Sequence, residues 1–308
     1  MNTDSKIYVA GNDGMVGTTL IKLLRKNKFN NIIYKSIKEL DLRDEVATNL
    51  FFTVQKPDCV FLLAARVGGI QANINYPADF IYDNLKIQTN VIHMSYKQNV
   101  KKLLFIGSSC IYPRNSIQPM KEEYLLDGKL EPTNESYAIA KIAGIKMCQY
   151  YNKQHNTNFI SAMPSNVYGY NDNFDLKDSH VLAALIRRFY EAKINKQKEI
   201  EIWGTGKARR EFLFADDLAD ALLFLMQKYN DSEIINIGVG KDISIKELAE
   251  LVKEIIGFKG KIVFDTTKPD GMPRKLLDVS KINNLGWQAK ISLKEGIEKT
   301  YNWYLENK

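Results

Sequence analysis

Cysteine and histidine are scarce in this chain, which has three of each among its 308 residues. The cysteines, Cys59, Cys110 and Cys148, are odd in number and lack the spacing of zinc ligands, so we expect neither a disulfide framework nor a metal site. Cys59 and Cys148 lie in apolar runs, where a thiol usually acts as a small buried hydrophobe. Cys110 differs because it follows two serines.

Long apolar runs are also missing. No stretch approaches the roughly 18 uninterrupted apolar residues that a membrane span needs. The first strand-like run, at 7–10, begins too early to leave room for a signal peptide before it. We therefore expect a cytoplasmic protein without a membrane anchor.

A concentrated positive surface is the third absence. The net charge of +7 comes from lysines scattered along the chain, so the sequence does not favour nucleic-acid binding. A moderately basic protein suits polyanionic small ligands, such as a dinucleotide or a nucleotide sugar, through long-range attraction. With 45% hydrophobic and 26% charged residues, the composition is that of a folded globular protein.

Short apolar runs alternate with helical patterns through the first half of the chain. This alternation indicates βαβ units that build a parallel sheet covered by helices on both faces. The sequence therefore predicts an α/β fold with a doubly wound, Rossmann-type sheet. Strands are predicted at 7–10, 31–34, 58–63, 102–106 and 159–163, and helices at 15–27, 43–55, 72–98 and 137–154.

The second half has a less regular pattern. We interpret residues 1–165 as a dinucleotide-binding domain that is completed by about 213–240, and 166–308 as mainly a smaller, interleaved substrate-binding lobe. A loop is predicted at 171–178. Helices are predicted at 180–194, from 216, at 244–256 and at 293–306, and strands at 199–203, 233–237 and 261–264.

Three glycines follow the first predicted strand, in the segment Gly11-Asn12-Asp13-Gly14-Met15-Val16-Gly17. Glycine lets the backbone turn tightly and approach a pyrophosphate, and the N-terminus of the next helix offers unpaired N–H groups to that anion. The G-x-x-G-x-x-G spacing differs from the common dinucleotide fingerprint, so a glycine-rich turn without a ligand is the alternative. The position between a strand and a helix favours dinucleotide binding.

Tyr137 and Lys141 lie four residues apart, on one face of a predicted helix. A phenol has a pKa of about 10, and a nearby cation lowers it. We expect Lys141 to tune Tyr137 so that the phenol protonates the alkoxide formed when hydride reaches a carbonyl. Such a pair also arises by chance. Ser108 strengthens the interpretation, because hydroxyls at the carboxyl end of a parallel strand point into the ligand crevice.

Together these residues resemble the Ser-Tyr-Lys triad of the extended short-chain dehydrogenase/reductases. Within that group the chain resembles the GDP-L-fucose synthase family, the GDP-4-keto-6-deoxymannose 3,5-epimerase/4-reductases, over nearly its whole length. The motifs that carry the resemblance include Gly14-Met-Val-Gly17, Ala65-Arg-Val-Gly-Gly69, Tyr76-Pro-Ala-Asp79, Ser108-Ser-Cys-Ile-Tyr-Pro113, Leu130-Glu-Pro-Thr-Asn134, Tyr137-Ala-Ile-Ala-Lys141, Asp172-Asn-Phe-Asp175, Ser179-His-Val181, Arg210-Glu-Phe-Leu213 and Lys268-Pro-Asp-Gly271.

The resemblance implies a role for each matching residue. Cys110 and His180 would exchange protons at the carbons flanking the 4-keto group, beside the triad of Ser108, Tyr137 and Lys141. A purely structural position at a helix start is the alternative for His180. The residues assigned to the sugar nucleotide are Asn166, Arg188, Trp203, Arg210, Asp270 and Lys275. Those assigned to the cofactor are Gly11, Asn12, Asp13, Gly14, Met15, Val16, Gly17, Lys35, Ser36, Asp41, Leu42, Ala64, Ala65, Ser109, Lys141, Pro164, Asn166, Val167 and His180.

Two departures from the family pattern concern the cofactor. Asp13 stands where the family commonly has an arginine that meets the 2′-phosphate of NADP, and Ile37 stands where a second such arginine is usual. However, the end of the second strand, at 34–36, has no acidic residue to chelate a free ribose diol. Lys35, Ser36 or Lys38 can hold a phosphate instead. We therefore expect NADP(H) rather than NAD(H).

Other departures surround the sugar. Tyr170 and Ala183 replace usual prolines, and Phe214 replaces a common histidine. These changes either reshape the pocket for another sugar, such as a 6-deoxy-heptose, or are neutral. The main hypothesis is NADPH-dependent reduction at C4 of a GDP-4-keto-6-deoxy sugar, with epimerisation at C3 and C5.

Three alternative functions remain. One is a C4-reductase that acts on a GDP-4-keto-6-deoxy-heptose without epimerising it. Another is a sugar-nucleotide 4-epimerase or dehydratase, although a dehydratase needs a carboxylate near Ser109 and Cys110, where the sequence has none. The third is a binding protein that keeps the fold without turnover.

The resemblance also implies how the protein is assembled and used. We expect a homodimer in which helices near 82–98 and 137–153 pack against their mates. No nucleic acid or membrane is expected as a partner. The product would serve as a precursor of capsule or another cell-surface polysaccharide.

Overall fold

The computed structural model describes residues 1–176, 179–268 and 270–308. Positions 177 and 178 of the predicted loop, and position 269 of the motif at 268–271, lie outside the described residues. Within these ranges the strands are β1 Ile7–Ala10, β2 Ile32–Ile33, β3 Cys59–Leu62, β4 Lys102–Ile106, β5 Phe159–Pro164, β6 Asn166–Tyr168, β7 Glu199–Trp203, β8 Arg209–Phe214, β9 Ile235–Ile237, β10 Asp242–Ser244, β11 Lys261–Asp265 and β12 Arg274–Lys275.

The helices alternate with the strands in the first half of the chain. The one helix predicted at 72–98 is in fact two, because Pro77 cannot continue a helix that precedes it and instead occupies the first turn of a new one. The helices are α1 Met15–Lys26, α2 Glu45–Gln55, α3 Ile70–Asn75, α4 Pro77–Lys97, α5 Glu135–His155, α6 Val181–Ile194, α7 Ala215–Lys228, α8 Ile245–Ile256, α9 Ser280–Asn284 and α10 Leu293–Asn307.

One large sheet organises the fold. Its six strands lie in the order β2-β1-β3-β4-β5-β9, and every neighbouring pair is parallel. The strand order reverses at β1, which has β2 on one side and β3 on the other. The predicted doubly wound α/β fold is confirmed.

Apolar side chains cover both faces of this sheet, which explains why its strands are apolar throughout rather than alternating. On one face α1 and α7 pack on β1 and β3, through a cluster that includes Val9, Leu20, Leu24, Phe61, Leu218 and Leu222. On the other face α2, α4 and α5 pack through a cluster that includes Tyr8, Phe52, Val60, Val91, Ile92 and Ile145.

The sequence did not predict β6, β8, β10, β12 or the short helix α9. Strand β8 pairs with β6, β10 and β12, and β7 pairs with β11. Three of the missed strands have only two or three residues, and β8 begins with the charged run Arg209, Arg210 and Glu211. These strands form only because segments distant in the sequence pair with one another. The local hydrophobic periodicity does not reveal such pairing.

The chain returns to the large sheet late, through α7 and β9. A separate apolar cluster lies among α6, α8, α10 and the strands they cover. The division of the chain near residue 165 into two lobes stays a prediction.

Among the described residues, no helix has the length and apolar character to cross a bilayer, and no group of three acidic, histidine or cysteine side chains is arranged to bind a metal.

The carboxylate of Glu211 joins three segments of the fold. Its Oε1 accepts hydrogen bonds from the backbone N–H groups of Val239 and Gly240, at 2.5 and 2.7 Å, and its Oε2 accepts one from Leu277 at 3.0 Å. The residue is fully buried, and burial raises the pKa of Glu211 to about 7 despite these donors. Glu211 thereby fixes β8 against the segments that follow β9 and β12.

Replacing Glu211 with glutamine is expected to flatten the pH dependence of stability. Because the folded-state pKa of Glu211 is raised from 4.5 to about 7, the native protein binds more protons than the unfolded chain between these values. Stability therefore falls as pH rises through this window, by up to about 3 kcal/mol. Glu211→Gln should be less stable than the wild type at pH 5, because the amide has only one oxygen to accept the backbone N–H groups. Its stability should not fall as pH rises through this window. Urea unfolding at several pH values measures the free energy of unfolding and its change with pH. If this free energy changes with pH equally in the variant and the wild type, the prediction is wrong.

Candidate active site

The carboxyl ends of the central strands meet at one edge of the large sheet. Gly11 follows β1, Ala64 and Ala65 lie just beyond β3, Gly107 follows β4, and Pro164 ends β5. The strand order reverses at this edge beside β1. Crevices of doubly wound sheets bind their ligands at this position.

The glycine segment has the shape of a phosphate cradle. Gly11 has a φ of +91°, and a β-carbon there would lie 2.6 Å from the backbone nitrogen of Ala64. A β-carbon on Gly17 would overlap the carbonyl oxygen of Gly11. Among the described residues no side chain caps the N-terminus of α1 at Gly14, so the N–H groups of its first turn remain available to an anion. The residues present therefore fit a dinucleotide pyrophosphate.

Ser108 and Cys110 form a contact pair just beyond β4. Ser108 precedes a short 3₁₀ helix, Ser109–Ile111, and its Oγ accepts hydrogen bonds from the backbone N–H and the thiol of Cys110, at 3.3 and 3.0 Å. Ser109 and Cys110 are buried. The turn thus places a hydroxyl and a thiol side by side at the edge of the sheet.

Tyr137 and Lys141 lie one turn apart on α5. The Nζ of Lys141 donates a hydrogen bond of 2.9 Å to the carbonyl of Ile106 and lies 5.7 Å from the centre of the Tyr137 ring. The helix approaches β4 closely because residue 144 is glycine: a β-carbon at Gly144 would lie 2.5 Å from the Phe105 ring. Lys141 therefore reaches the end of β4, two residues before Ser108, and the Tyr137 ring lies beside its ammonium.

Burial governs the ionisation of this pair. It lowers the pKa of Lys141 to about 8, and it raises the pKa of Tyr137 well above its ordinary value. The sequence predicts instead that the Lys141 cation lowers the pKa of the phenol. The structure differs, because Lys141 is directed to a carbonyl oxygen and desolvation favours the neutral form of both groups. Tyr137 consequently keeps its proton.

His180 immediately precedes α6 and is exposed to solvent. Desolvation by the surrounding protein lowers the pKa of His180, and the positive charge of Lys275 lowers it further. Both effects favour the neutral form of the imidazole, which a proton acceptor requires.

Arg188 and Trp203 line one cavity of about 360 Å³. The Trp203 side chain is half exposed, and Lys268 lies 5.5 Å from its ring centre. Arg188 donates a weak hydrogen bond of 3.4 Å to the carbonyl of Glu201. A flat indole beside a guanidinium suits a nucleotide base and its phosphates.

Four further residues assigned to the sugar nucleotide lie on or near β8. Lys275 pairs in register with Arg210, whose guanidinium donates a 3.4 Å hydrogen bond to the carbonyl of Asp270. Burial lowers the pKa of both cations. The Asp270 carboxylate is engaged by the backbone N–H and hydroxyl of Thr205, each at 2.7 Å. Asn166, in β6, donates a 2.7 Å hydrogen bond to the Glu211 carbonyl.

These contacts connect the two groups of predicted substrate residues. A β-carbon on Gly204, the residue after Trp203, would overlap the Asp270 carboxylate. The structure therefore brings Trp203, Asp270, Arg210 and Lys275 into one continuous region. It shows no contact between Arg188 and the residues of the Ser-Tyr-Lys triad within the described ranges.

The segment after β2 contains charged contacts that sequence reasoning missed. Lys35 and Ser36, predicted to face the cofactor, both bond to Glu39. Asp41 is paired with Arg43 at 2.7 Å, and Arg43 also reaches Asp83 at 3.2 Å. The Ser36-x-x-Glu39 spacing is a capping-box pattern and would have revealed the first contact. Leu42 is buried.

Comparisons with known proteins agree with this architecture. The model of the NAD dependent epimerase/dehydratase family matches residues 7–238. A putative GDP-L-fucose synthase 2 of Arabidopsis thaliana is 58% identical over 307 residues, covering 100% of this chain and 94% of the relative. The GDP-L-fucose synthase of Escherichia coli is 47% identical over 311 residues, covering 98% of this chain and 97% of the relative.

Two solved structures superpose closely on the chain. A GDP-6-OMe-4-keto-L-xylo-heptose reductase from C. jejuni has a TM-score of 0.96 at 45% identity and covers 100% of this chain and 99% of its own. The GDP-mannoheptose C4 reductase of Campylobacter jejuni with NADP bound has a TM-score of 0.92 at 48% identity, with 99% of each chain covered. The predicted resemblance is confirmed, and the chain belongs to the NAD dependent epimerase/dehydratase family.

Proposed function

We propose that the protein is an NADP(H)-dependent epimerase/reductase that reduces C4 of a GDP-4-keto-6-deoxy sugar and epimerises C3 and C5. The observation that carries the proposal is the contact of 3.0 Å between the Cys110 thiol and the Ser108 hydroxyl, beside Tyr137 and Lys141. This arrangement combines groups for proton exchange with groups for carbonyl reduction. GDP-L-fucose synthases at 47–58% identity support the same reaction.

The proposed cofactor is NADP(H), with NAD(H) as the alternative. The phosphate cradle at Gly11 and Gly17 supports a dinucleotide of either kind, and the related reductase that has NADP bound supports the 2′-phosphorylated form. When bound, NADPH supplies the hydride for C4. Lys35 and Ser36 would hold its 2′-phosphate, and Asp41 and Leu42 would lie near the adenine.

Reduction needs a proton at the oxygen on C4. Tyr137 retains its proton in the buried site and would donate it to the developing alkoxide. Ser108 would orient the carbonyl from the opposite side through its hydroxyl. Lys141, fixed on the Ile106 carbonyl, would stabilise negative charge on the phenolate that remains.

Epimerisation needs proton exchange at the two carbons beside the 4-keto group. Inversion at a carbon requires a base on one face and an acid on the other. Cys110 and the neutral imidazole of His180 are the groups proposed for this exchange. The cations Arg210 and Lys275 would bind the diphosphate, and the cavity at Arg188 and Trp203 would take the nucleoside.

A second candidate is a C4-reductase without epimerisation, acting on a GDP-4-keto-6-deoxy-heptose. The observation that favours it is the close superposition on two heptose enzymes, with TM-scores of 0.96 and 0.92. Both candidates use the same triad. They differ in whether Cys110 and His180 exchange protons with the substrate.

One experiment separates the two candidates. The purified protein is mixed in D₂O with NADPH and freshly prepared GDP-4-keto-6-deoxymannose, and the product is examined by mass spectrometry. Turnover with deuterium at two carbons supports the epimerase/reductase, and turnover without label supports the simple reductase. Absence of turnover with this sugar and with the heptose would overturn the proposed function.

We also propose a cytoplasmic homodimer whose product is a precursor of capsule or another surface polysaccharide. The proposed contact uses α4 and α5, which carry the exposed side chains Tyr82 and Tyr150. Light scattering of the purified protein tests the assembly. A monomer at micromolar concentration would contradict it.

A further inference from the structure

Glu39 lies in the segment that separates 2′-phosphorylated from unphosphorylated dinucleotides. In a doubly wound fold the adenine ribose lies near the end of the second strand, where an acid binds a free diol and a cation accommodates a 2′-phosphate. Here β2 ends at Ile33, whose register partner is Tyr8 of β1, so residues 34–39 begin beside the glycine cradle.

Three donors from this segment converge on the Glu39 carboxylate. Lys35 Nζ lies 2.8 Å from Oε1, and the backbone N–H and hydroxyl of Ser36 both donate to Oε2 at 2.9 Å. An ammonium, a hydroxyl and a backbone N–H are also the donors that a phosphate monoester uses in proteins. The carboxylate therefore occupies the donors that the 2′-phosphate needs.

The Glu39 carboxylate and a 2′-phosphate are both anions at neutral pH, so they compete for the donors of Lys35 and Ser36. The hydrogen bond from Lys35 holds the pKa of Glu39 at about 2, so the carboxylate stays ionised. Lys35 and Glu39 are about half exposed, and an exposed pair of this kind is weak enough for a ligand to displace. Glu39 is the only acidic residue at 34–39.

We infer that Glu39 is a specificity-determining residue that weakens the preference for NADP(H) over NAD(H). A 2′-phosphate must displace the carboxylate from Lys35 and Ser36, whereas a cofactor with a free ribose diol leaves these contacts in place. This inference rests on the proposed NADP(H) site and adds the residue that sets its selectivity.

The test is cofactor binding by the full-length protein and its Glu39→Gln variant. Titrations with NADPH and with NADH, followed by nicotinamide fluorescence, give four dissociation constants. Removing the negative charge is expected to tighten NADPH binding by roughly fivefold or more, with NADH changed less than about twofold. The gain should shrink at high salt, because exposed charges are screened.

Glu247 offers a matched control. It forms the same capping contact with Ser244, whose backbone N–H and hydroxyl donate to its carboxylate at 2.9 and 2.7 Å, but it lies in α8, away from the cradle. Glu247→Gln should leave the ratio of NADPH to NADH affinity unchanged. Ser36→Ala should weaken NADPH binding alone.

The outcomes distinguish this inference from the proposed function. If Glu39→Gln shifts both cofactors equally, or alters only the unfolding temperature, Glu39 merely stabilises its turn and the inference is wrong. In that case NADPH binding by the wild type still stands. If the wild type binds neither dinucleotide, the proposed function and the inference both fail.

Discussion

Tyr137→Phe is expected to lose about 10²- to 10⁴-fold in the rate of NADPH-dependent carbonyl reduction. The phenol is the proposed proton donor to the C4 oxygen, and burial keeps its proton in place. Phenylalanine retains the edge-to-face contact with Phe80, whose ring centre lies 6.3 Å away, so the fold should be unaffected. NADPH binding should remain within a few-fold of wild type, because the hydroxyl is not part of the phosphate cradle.

The measurement is single-turnover oxidation of NADPH together with a separate binding titration. Tyr150→Phe is the matched control, because Tyr150 lies on the same helix but outside the triad, and phenylalanine keeps its ring in the proposed dimer contact. It should react like wild type. A Tyr137→Phe variant that keeps more than about a tenth of the rate would rule out the phenol as the proton donor.

Cys110→Ser is expected to abolish deuterium exchange at one of the two carbons beside the keto group, with a loss on the order of 10² or more. A thiol exchanges protons through its thiolate, which forms far more readily near neutral pH than the alkoxide of a serine. Reduction of an already epimerised 4-keto sugar should continue, since Ser108, Tyr137 and Lys141 are unchanged. Mass spectrometry after short reactions in D₂O reports the lost exchange.

His180→Gln should remove exchange at the same or the other carbon by the same reasoning. His155→Gln is its control, because His155 ends α5 and stacks on Tyr96 at 4.2 Å, outside the site. If Cys110→Ser and His180→Gln still exchange both positions at wild-type rates, these residues only bind substrate. The reductase without epimerisation would then be the better hypothesis.

Much of the fold could be predicted because the central strands are short apolar runs bounded by turn residues. The strands at 7–10 and 102–106 have the predicted bounds, and both are buried throughout. The break between α3 and α4 was missed within the helix predicted at 72–98, although Pro77 marks it in the sequence. Strands β6, β8, β10 and β12 could not be predicted, because their pairing depends on segments far apart in the chain.

The predicted site likewise has features that the sequence reveals and features that it does not. The spacing of Tyr137 and Lys141 is a local helical property, and α5 carries both residues one turn apart. Lys141 also reaches the Ile106 carbonyl at the end of β4. Their catalytic roles stay predictions. Their ionisation could not be predicted, because burial, which sequence does not report, outweighs their mutual charge effect. The Ser36-x-x-Glu39 spacing is a local signal for the hydrogen bonds that Lys35 and Ser36 donate to Glu39. The prediction of a phosphate site considers the donors of this segment and overlooks the acceptor.

The order of strands also has a consequence for synthesis on the ribosome. Strand β5 ends at Pro164, while β9, which covers its outer edge, begins at Ile235. About 70 residues must therefore emerge before this edge is paired, which takes several seconds at typical elongation rates. During that interval the nascent chain presents a buried, apolar strand with unsatisfied N–H and C=O groups, a form open to chaperones and to mispairing.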